Sequence, residues 1–524
     1  MTDYDAIIIG AGHNGLICAS YLAKAGKNVL VLDARNEPGG CASTREFAPG
    51  HHVSDCAQWL SQFDQSIVKD LDLKAAGLKL GKPKATISLQ SDGDHLVLDG
   101  ETISGAGVDS ADQAAYRDFK KMVRSFAKLM TTLYRTRPPK LVEQNWTDRL
   151  TLMKLGLGLK LLNRERLRDL MRIVMINIYD VMNEHFSHAA LKSAIALDAV
   201  TGTNMGPRSP NTVYSYLHRA TGEHLGQSGT TQVMGGMGAF GQSLATAAKK
   251  CGANIQLDSA VTAIVKTEDR VTGVTLDSGE QISAKLVISS ADPSTTFRRL
   301  LGYHQMEAGM AKRVECYRSR SGTAKLHLAL SGLPSFTGLS EGQLTERLVI
   351  TPPMDGMETA LNPMKYRELG DLHTFDISIP TLEDPGLAPQ GQHSLTAIVH
   401  YVPYEPNIGW EAGKPQLLSQ LMSELEAYAP GIGALITASE LVVPSDFEAS
   451  HGMTGGSWHH GELSIDQALM MRPFPGSTQY ATAVEGLYLC GAGAHPGGGL
   501  QGLPGRNAAK EILKRGALLS LIHI

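Results

Sequence analysis

An α/β fold with a second, discontinuous α+β domain is what this sequence of 524 residues predicts, on three observations. An apolar strand pattern at the N-terminus runs into a glycine turn, a helix and another strand. Glycine clusters at 234–241 and 491–499 recur beside further strand patterns. Two long stretches between the clusters, 76–230 and 301–445, alternate between helical and strand periodicity.

Residues 5–10, DAIIIG, form a β-branched apolar run that stops at glycine, the pattern of a short buried strand. GAGHNG then places Gly10, Gly12 and Gly15 in GxGxxG spacing, and LICASYLAKAG carries helical periodicity to Gly26. NVLVLDA is a second buried strand with Asp33 at its C-terminal end. Each part has a mechanical reason. Gly10 permits the tight turn, Gly12 lets backbone approach a diphosphate, and Gly15 lets helix pack closely on strand. The helix N-terminus offers unpaired N–H groups and a positive dipole end to the diphosphate. Asp33 is placed to accept hydrogen bonds from an adenosine ribose. The unit is a Rossmann dinucleotide-binding crossover.

Residues 35–44, RNEPGGCAST, bear on which dinucleotide. The glycine pair Gly39 and Gly40 resembles the GG motif of flavoproteins of the glutathione-reductase class, which favours FAD over NAD. Amine oxidases of this class usually read GGR, and Cys41 stands in the place of that arginine. Disulfide reductases carry a CxxxxC pair here, whereas the next cysteine is Cys56. Both departures count against those subfamilies. Nothing nearby in sequence lowers the Cys41 pKa, so it reads as a small buried residue rather than a nucleophile.

MGGMGAFG at 234–241 repeats the GxGxxG spacing at Gly236, Gly238 and Gly241, but the preceding GQSGTTQVM is too polar for a central parallel strand. The expectation is a glycine turn and helix that feed a further strand into the first sheet and bring Val261 near the adenine, rather than a second nucleotide site. RVTGVTL, DSGEQISA and KLVISSADP follow as short antiparallel strands, with DSG a hairpin signal. Near the C-terminus come a strand (Leu487 to Cys490), a turn with Gly491 and Gly493, a second turn from His495 to Gly499, and a helix over 503–514. Backbone N–H groups there would face the flavin.

Of the intervening stretches, 76–230 reads as largely helical, with a stripe of Phe119, Met122, Val123, Phe126, Leu129 and Met130. In 301–445, TAKLHLALSGLP and SLTAIVHYVP alternate as strands, so a sheet should floor the substrate cavity. The resulting division is 1–75, 231–300 and 446–524 for the FAD domain, and 76–230 with 301–445 for a substrate or cap domain. LTLMKLGLGLKLL is apolar almost all round, and Arg164, Arg168 and Arg172 follow it. This stretch fits either a helical cap over the flavin domain or a surface lying on an anionic membrane.

The formal charge, 48 basic against 52 acidic side chains, is −4, too weak a field to suggest a nucleic-acid binder. Six scattered cysteines signal neither a disulfide framework nor a metal site, and no run approaches a membrane span. A cytoplasmic protein, at most peripheral to the inner face of a membrane, is expected.

The chain resembles the phytoene desaturase-like flavoproteins: carotenoid desaturases and isomerases, CrtO-type ketolases and the PYROXD2-like oxidoreductases. The resemblance rests on GAGHNGL (10–16), DARNEPGGCAST (33–44), VMGGMGAF (233–240), SSADPSTTF (289–297), GGSWHHGELSIDQ (455–467) and LYLCGAGAHPGGGLQGLPGRNAA (487–509), the last two closest to the PYROXD2-like branch. It implies a glutathione-reductase-type FAD domain with noncovalent FAD held by Gly10, Gly12, Gly15, Asp33, Arg35, Gly39, Gly40, Val261, Gly491, Gly493, Gly499 and Leu500. Ala492 replaces the acid that many relatives carry in the C-terminal turn.

The implied activity is hydride transfer between an apolar substrate, of polyene or lipid type, and FAD, with oxygen or a quinone as acceptor. Desaturation needs a base, and His495, His459 and His460 are the candidates, with His495 preferred. Two alternatives stand beside this: an isomerase or saturase working from reduced FAD, and a non-catalytic binding protein like the Rab GDP-dissociation inhibitors. Aromatic residues make up 6% of the chain, too few to suggest an amine-binding cage.

Overall fold

A computed structural model describes residues 4–522 apart from 106, 141, 143 and 228, with side chains described to 516. The N-terminal reading corresponds to β1 (Tyr4–Ile9), α1 (His13–Lys24) and β2 (Val29–Leu32). Strand Asn254–Gln256 adds parallel to the outer edge of β2, delivered by helix Met237–Lys250. The second glycine cluster is thus a turn feeding the first sheet. Strand Thr230–Val233 before it lies outside that sheet and pairs antiparallel with Leu80–Lys84.

On the other side of β1 lies Gln281–Ser289. The sequence suggested two short strands here; the structure has one, because its two ends have different partners. Its C-terminal half runs parallel to β1 and to Leu487–Leu489. Its N-terminal half runs antiparallel to Arg270–Leu276, which pairs in turn with Val261–Thr267. The parallel part is buried on both faces, which explains its unbroken apolar runs. Gly15 secures α1 on β1: a methyl group at this position would collide with the Gly10 carbonyl oxygen.

A second sheet of eight strands has the order Ile436–Val442, Thr323–Leu330, His393–His400, Thr374–Ser378, Arg347–Ile350, Thr86–Ser88, Leu96–Asp99 and Thr102–Gly105. The last three come from 76–230, which is otherwise largely helical as read, with six described α-helices between Ser110 and Ala220. Short strands joined by turns carry too little periodicity to register in sequence. Thr323–Leu330 also departs from its alternating pattern and is buried along its whole length, because helix Gly409–Glu426 covers one face through Leu417, Leu421 and Leu425. The helical part of the cap is built on Ser110–Tyr134, whose Phe119, Val123 and Phe126 enter a core shared with Tyr214 and Leu217.

Candidate active site

Between the two sheets lies a cavity of about 320 Å3. Gly10, Gly12 and Asp33 from the first crossover, Gly40 from the following loop, Val261, and Gly499 with Leu500 from the C-terminal turn all line it. Its floor is formed by Asp376 and Ile398 of the second sheet. Segments far apart in sequence therefore meet at one cleft.

The glycine-lined end of the cavity is built from backbone. Gly12 is the N-cap of α1 and supplies no capping side chain, leaving first-turn N–H groups for an anion. Gly40 stacks against it: a methyl group at Gly40 would lie 3.0 Å from the Gly12 Cα. Arg35 holds the second loop by donating from Nη1 to the Gly40 carbonyl oxygen at 3.0 Å. Gly39, at φ +120°, is backed by Gly241, whose own methyl group would lie 2.7 Å from the Gly39 Cα. The second GxGxxG cluster thus buttresses the first site.

Asp33 accepts from the Ala11 N–H at 2.6 Å and the Arg35 N–H at 2.9 Å. Burial raises its carboxyl pKa, against the lowering effect of these two bonds.

Gly15, Arg35, Gly39, Gly491 and Gly493 do not line the cavity. They set the shape of its walls: Gly491 packs against the Ser290 carbonyl, and Gly493 against Pro293.

The histidines divide. His459 and His460 line the cavity, and each has a buried Nδ1 without a hydrogen-bond partner among the described residues. Burial pushes the His459 pKa down to about 3, helped by His218 and Arg472. His495 is a correction. Its ring is fully buried away from the cavity, with Nδ1 3.1 Å from the Leu469 carbonyl oxygen and Nε2 3.2 Å from that of Leu133. Burial lowers its pKa to about 4. The neutral ring has a single N–H to donate to one of these two carbonyls; enclosed between them, His495 ties the C-terminal turn to the cap and lies outside the cavity lining.

Sequence reasoning missed several groups. His13, inside GAGHNG, lines the cavity; its pKa falls to about 4 by burial, and its Nε2 has no partner. His218 donates or accepts at both nitrogens, 2.8 Å from the Tyr134 hydroxyl and 3.0 Å from the Gly498 carbonyl oxygen, joining cap to turn. Cys41 and Cys56 both line the cavity. A hydrogen bond from Cys56 lowers the Cys41 thiol pKa and raises that of Cys56, with His460 assisting the first effect. The expectation of an unperturbed Cys41 fails because its partners are distant in sequence.

Most consequential is Arg472, which is fully buried. Its guanidinium donates to the carbonyl oxygens of Ala492 (2.9 and 3.2 Å), Gln467 (3.0 Å), Glu462 (3.1 Å) and His459. One side chain thereby clamps the 459–467 segment to the C-terminal turn. A basic residue in MMRPFPG gives no local hint of this.

The cavity fits FAD on its own terms. It combines an uncapped helix N-terminus, an aspartate at the end of β2, two apposed glycine loops, and buried ring nitrogens that lack partners. The model of a family described as flavin-containing amine oxidoreductase matches residues 15–513, Cys41 notwithstanding. A rat protein named pyridine nucleotide-disulfide oxidoreductase domain-containing protein 2 is 31% identical, over 98% of this chain and 94% of its own. A lycopene-forming phytoene desaturase from Paracoccus is 26% identical over 95% of both chains. A putrescine oxidase structure shares the fold at a TM-score of 0.63, with 16% identity over 98% of this chain and 99% of that one.

Proposed function

Since the chain belongs to the flavin-containing amine oxidoreductase family and is an FAD-dependent oxidoreductase, we propose that it oxidises an apolar substrate, of polyene or lipid type, by hydride transfer to the flavin. The glutathione-reductase type of FAD domain is part of this reading, and the Gly39–Gly40 pair following Asp33 supports it.

The observation that carries the reading is the state of the carboxylates around the cavity. Two line it, Asp33 and Asp376. Asp33 sits at the nucleotide end. Asp376 is already engaged by the Trp59 indole N–H and the Arg347 guanidinium, both at 2.9 Å. A cationic amine would find no free anionic partner among the described lining residues, whereas Trp59, Ile398, Trp458 and Leu500 offer apolar contact. The phytoene desaturase among the relatives supports the same class.

Bound FAD would supply the hydride acceptor. Gly10, Gly12, Gly40, Asp33 and Val261 would hold its nucleotide part, and Gly499 and Leu500 its redox end. The protein's remaining tasks are to exclude water and to accept the proton left by desaturation. His459 stays neutral but is a weak base at a pKa of about 3. His460 is the proposed proton acceptor, with its unpartnered Nδ1 on the cavity wall. Oxygen or a quinone would remove the electrons. A cytoplasmic location is supported by six cysteines that are all unpaired.

Anaerobic mixing with a polyene tests the proposal. Bleaching of the oxidised flavin spectrum supports dehydrogenation. A requirement for prereduced flavin supports a saturase or isomerase, and bleaching by diamines but not polyenes removes the apolar assignment.

A further inference from the structure

Helix Trp146–Lys160 presents a continuous apolar stripe to solvent. Trp146, Leu150, Met153, Leu157 and Leu161 recur every three or four residues and are 79%, 42%, 64%, 59% and 79% exposed. Met171 and Met175, at 64% and 59%, extend the patch at the end of the next helix, Arg164–Ile173. Seven large apolar side chains in one short region exceed the scattered exposure of an ordinary surface.

The rest of the helix is held firmly, so the exposure does not come from a loose segment. An Asn145–Asp148 capping box closes its N-terminus. Asp148 is buried and paired with Arg137 at 2.7 Å, which also binds Glu511 at 3.0 Å. Leu159 and Leu162 pack into the cap core. Gly158 brings the helix so close that a methyl group there would sit 2.9 Å from the Leu129 side chain. No described helix is long and apolar enough to cross a membrane.

Charge surrounds the stripe. Arg149, Lys154, Lys160, Arg164, Arg166 and Arg168 are exposed and have no ion pair among the described residues. Residues 146–175 contain seven Lys and Arg against three Asp and Glu, a balance of +4 in a chain whose total is −4. An apolar ridge flanked by long cationic side chains suits an interface where hydrocarbon lies beneath anionic headgroups.

We propose that this ridge docks the protein on an anionic phospholipid surface, the stripe entering the acyl boundary and the cations meeting the headgroups. The inference stands independently of the substrate assignment.

Vesicle co-sedimentation tests it, using phosphatidylcholine with and without phosphatidylserine. The protein is expected to bind the anionic vesicles, to release at high salt, and to shift its tryptophan emission to the blue, a shift lost in Trp146→Phe. At about fivefold per cation near the surface, the triple replacement of Lys154, Arg166 and Arg168 by Gln lowers partitioning by about 100-fold. Met153→Ser with Leu157→Ser abolishes it. FAD content and thermal midpoint check that each variant is folded.

Absence of binding to anionic vesicles at low salt overturns the proposal, as does equal, salt-insensitive binding to neutral ones. So does a wild-type dimer in light scattering that Met153→Ser with Leu157→Ser turns into a monomer, since the ridge would then belong to a second copy.

Discussion

Replacing Arg472 with Met removes one side chain and strands four carbonyls. Those of His459, Glu462, Gln467 and Ala492 lose donors that no neighbouring side chain replaces within the described contacts. Leaving a buried acceptor unsatisfied costs about 1–3 kcal/mol, while removing a buried charge relieves part of its desolvation. The carbonyls outnumber the charge, so the net effect is destabilising, about 4 kcal/mol, at the upper end for single substitutions. At roughly 2 cal/mol/K per residue the unfolding entropy of a cooperative chain this long is about 1 kcal/mol/K, so Tm falls by about 4 °C. Because His459 and Ala492 line the cavity, FAD affinity should fall with it. Differential scanning calorimetry and FAD titration read the two effects. Arg472→Lys keeps the charge but not the planar fork and should lie in between. A Met variant with unchanged Tm and unchanged FAD affinity would refute the clamp.

Asp33→Asn keeps shape but loses a charged acceptor, and FAD affinity should fall by about 30- to 1,000-fold, equivalent to roughly 2–4 kcal/mol. In the wild type, affinity should weaken on acidification earlier than for an ordinary aspartate, because burial raises this carboxyl; fluorescence titration across pH checks both. Desolvation depresses the pKa values of His13, His218, His400 and His495 to about 4 and that of His459 to about 3. Each is neutral in the fold and protonates more readily unfolded, so its contribution is complete above about pH 6.5 and is lost as pH falls through about 4. Each adds a slope of up to about 1.4 kcal/mol per pH unit in that window, visible as a steep fall of Tm in acid. Gly15→Ala should push α1 off β1 against the Gly10 carbonyl and abolish FAD retention; a variant that copurifies with normal flavin would contradict the close packing.

The dinucleotide crossover was legible because its signals are local. Strand, turn, helix and acid follow one another within 33 residues, and the chemistry of each fixes its place. The second glycine cluster was read correctly as a feeder of the first sheet because polar residues precede it. What lay hidden depends on contacts between distant segments. Cys41 meets Cys56 across a hairpin, His218 meets Gly498 from the cap, and Arg472 spans two loops. His495 was misjudged for a related reason: a turn's position near the cleft does not say which way its side chain points. The three strands between 86 and 105 escaped because each is too short to show a period.

The central claim is that the glycine-lined cleft between the two sheets holds one FAD. Absorption spectroscopy of the purified protein, with the released flavin quantified against protein, tests it most directly. The expected result is an oxidised-flavin spectrum with one FAD per chain, lost in Gly15→Ala and diminished in Asp33→Asn. A colourless protein that takes up no added FAD would contradict it.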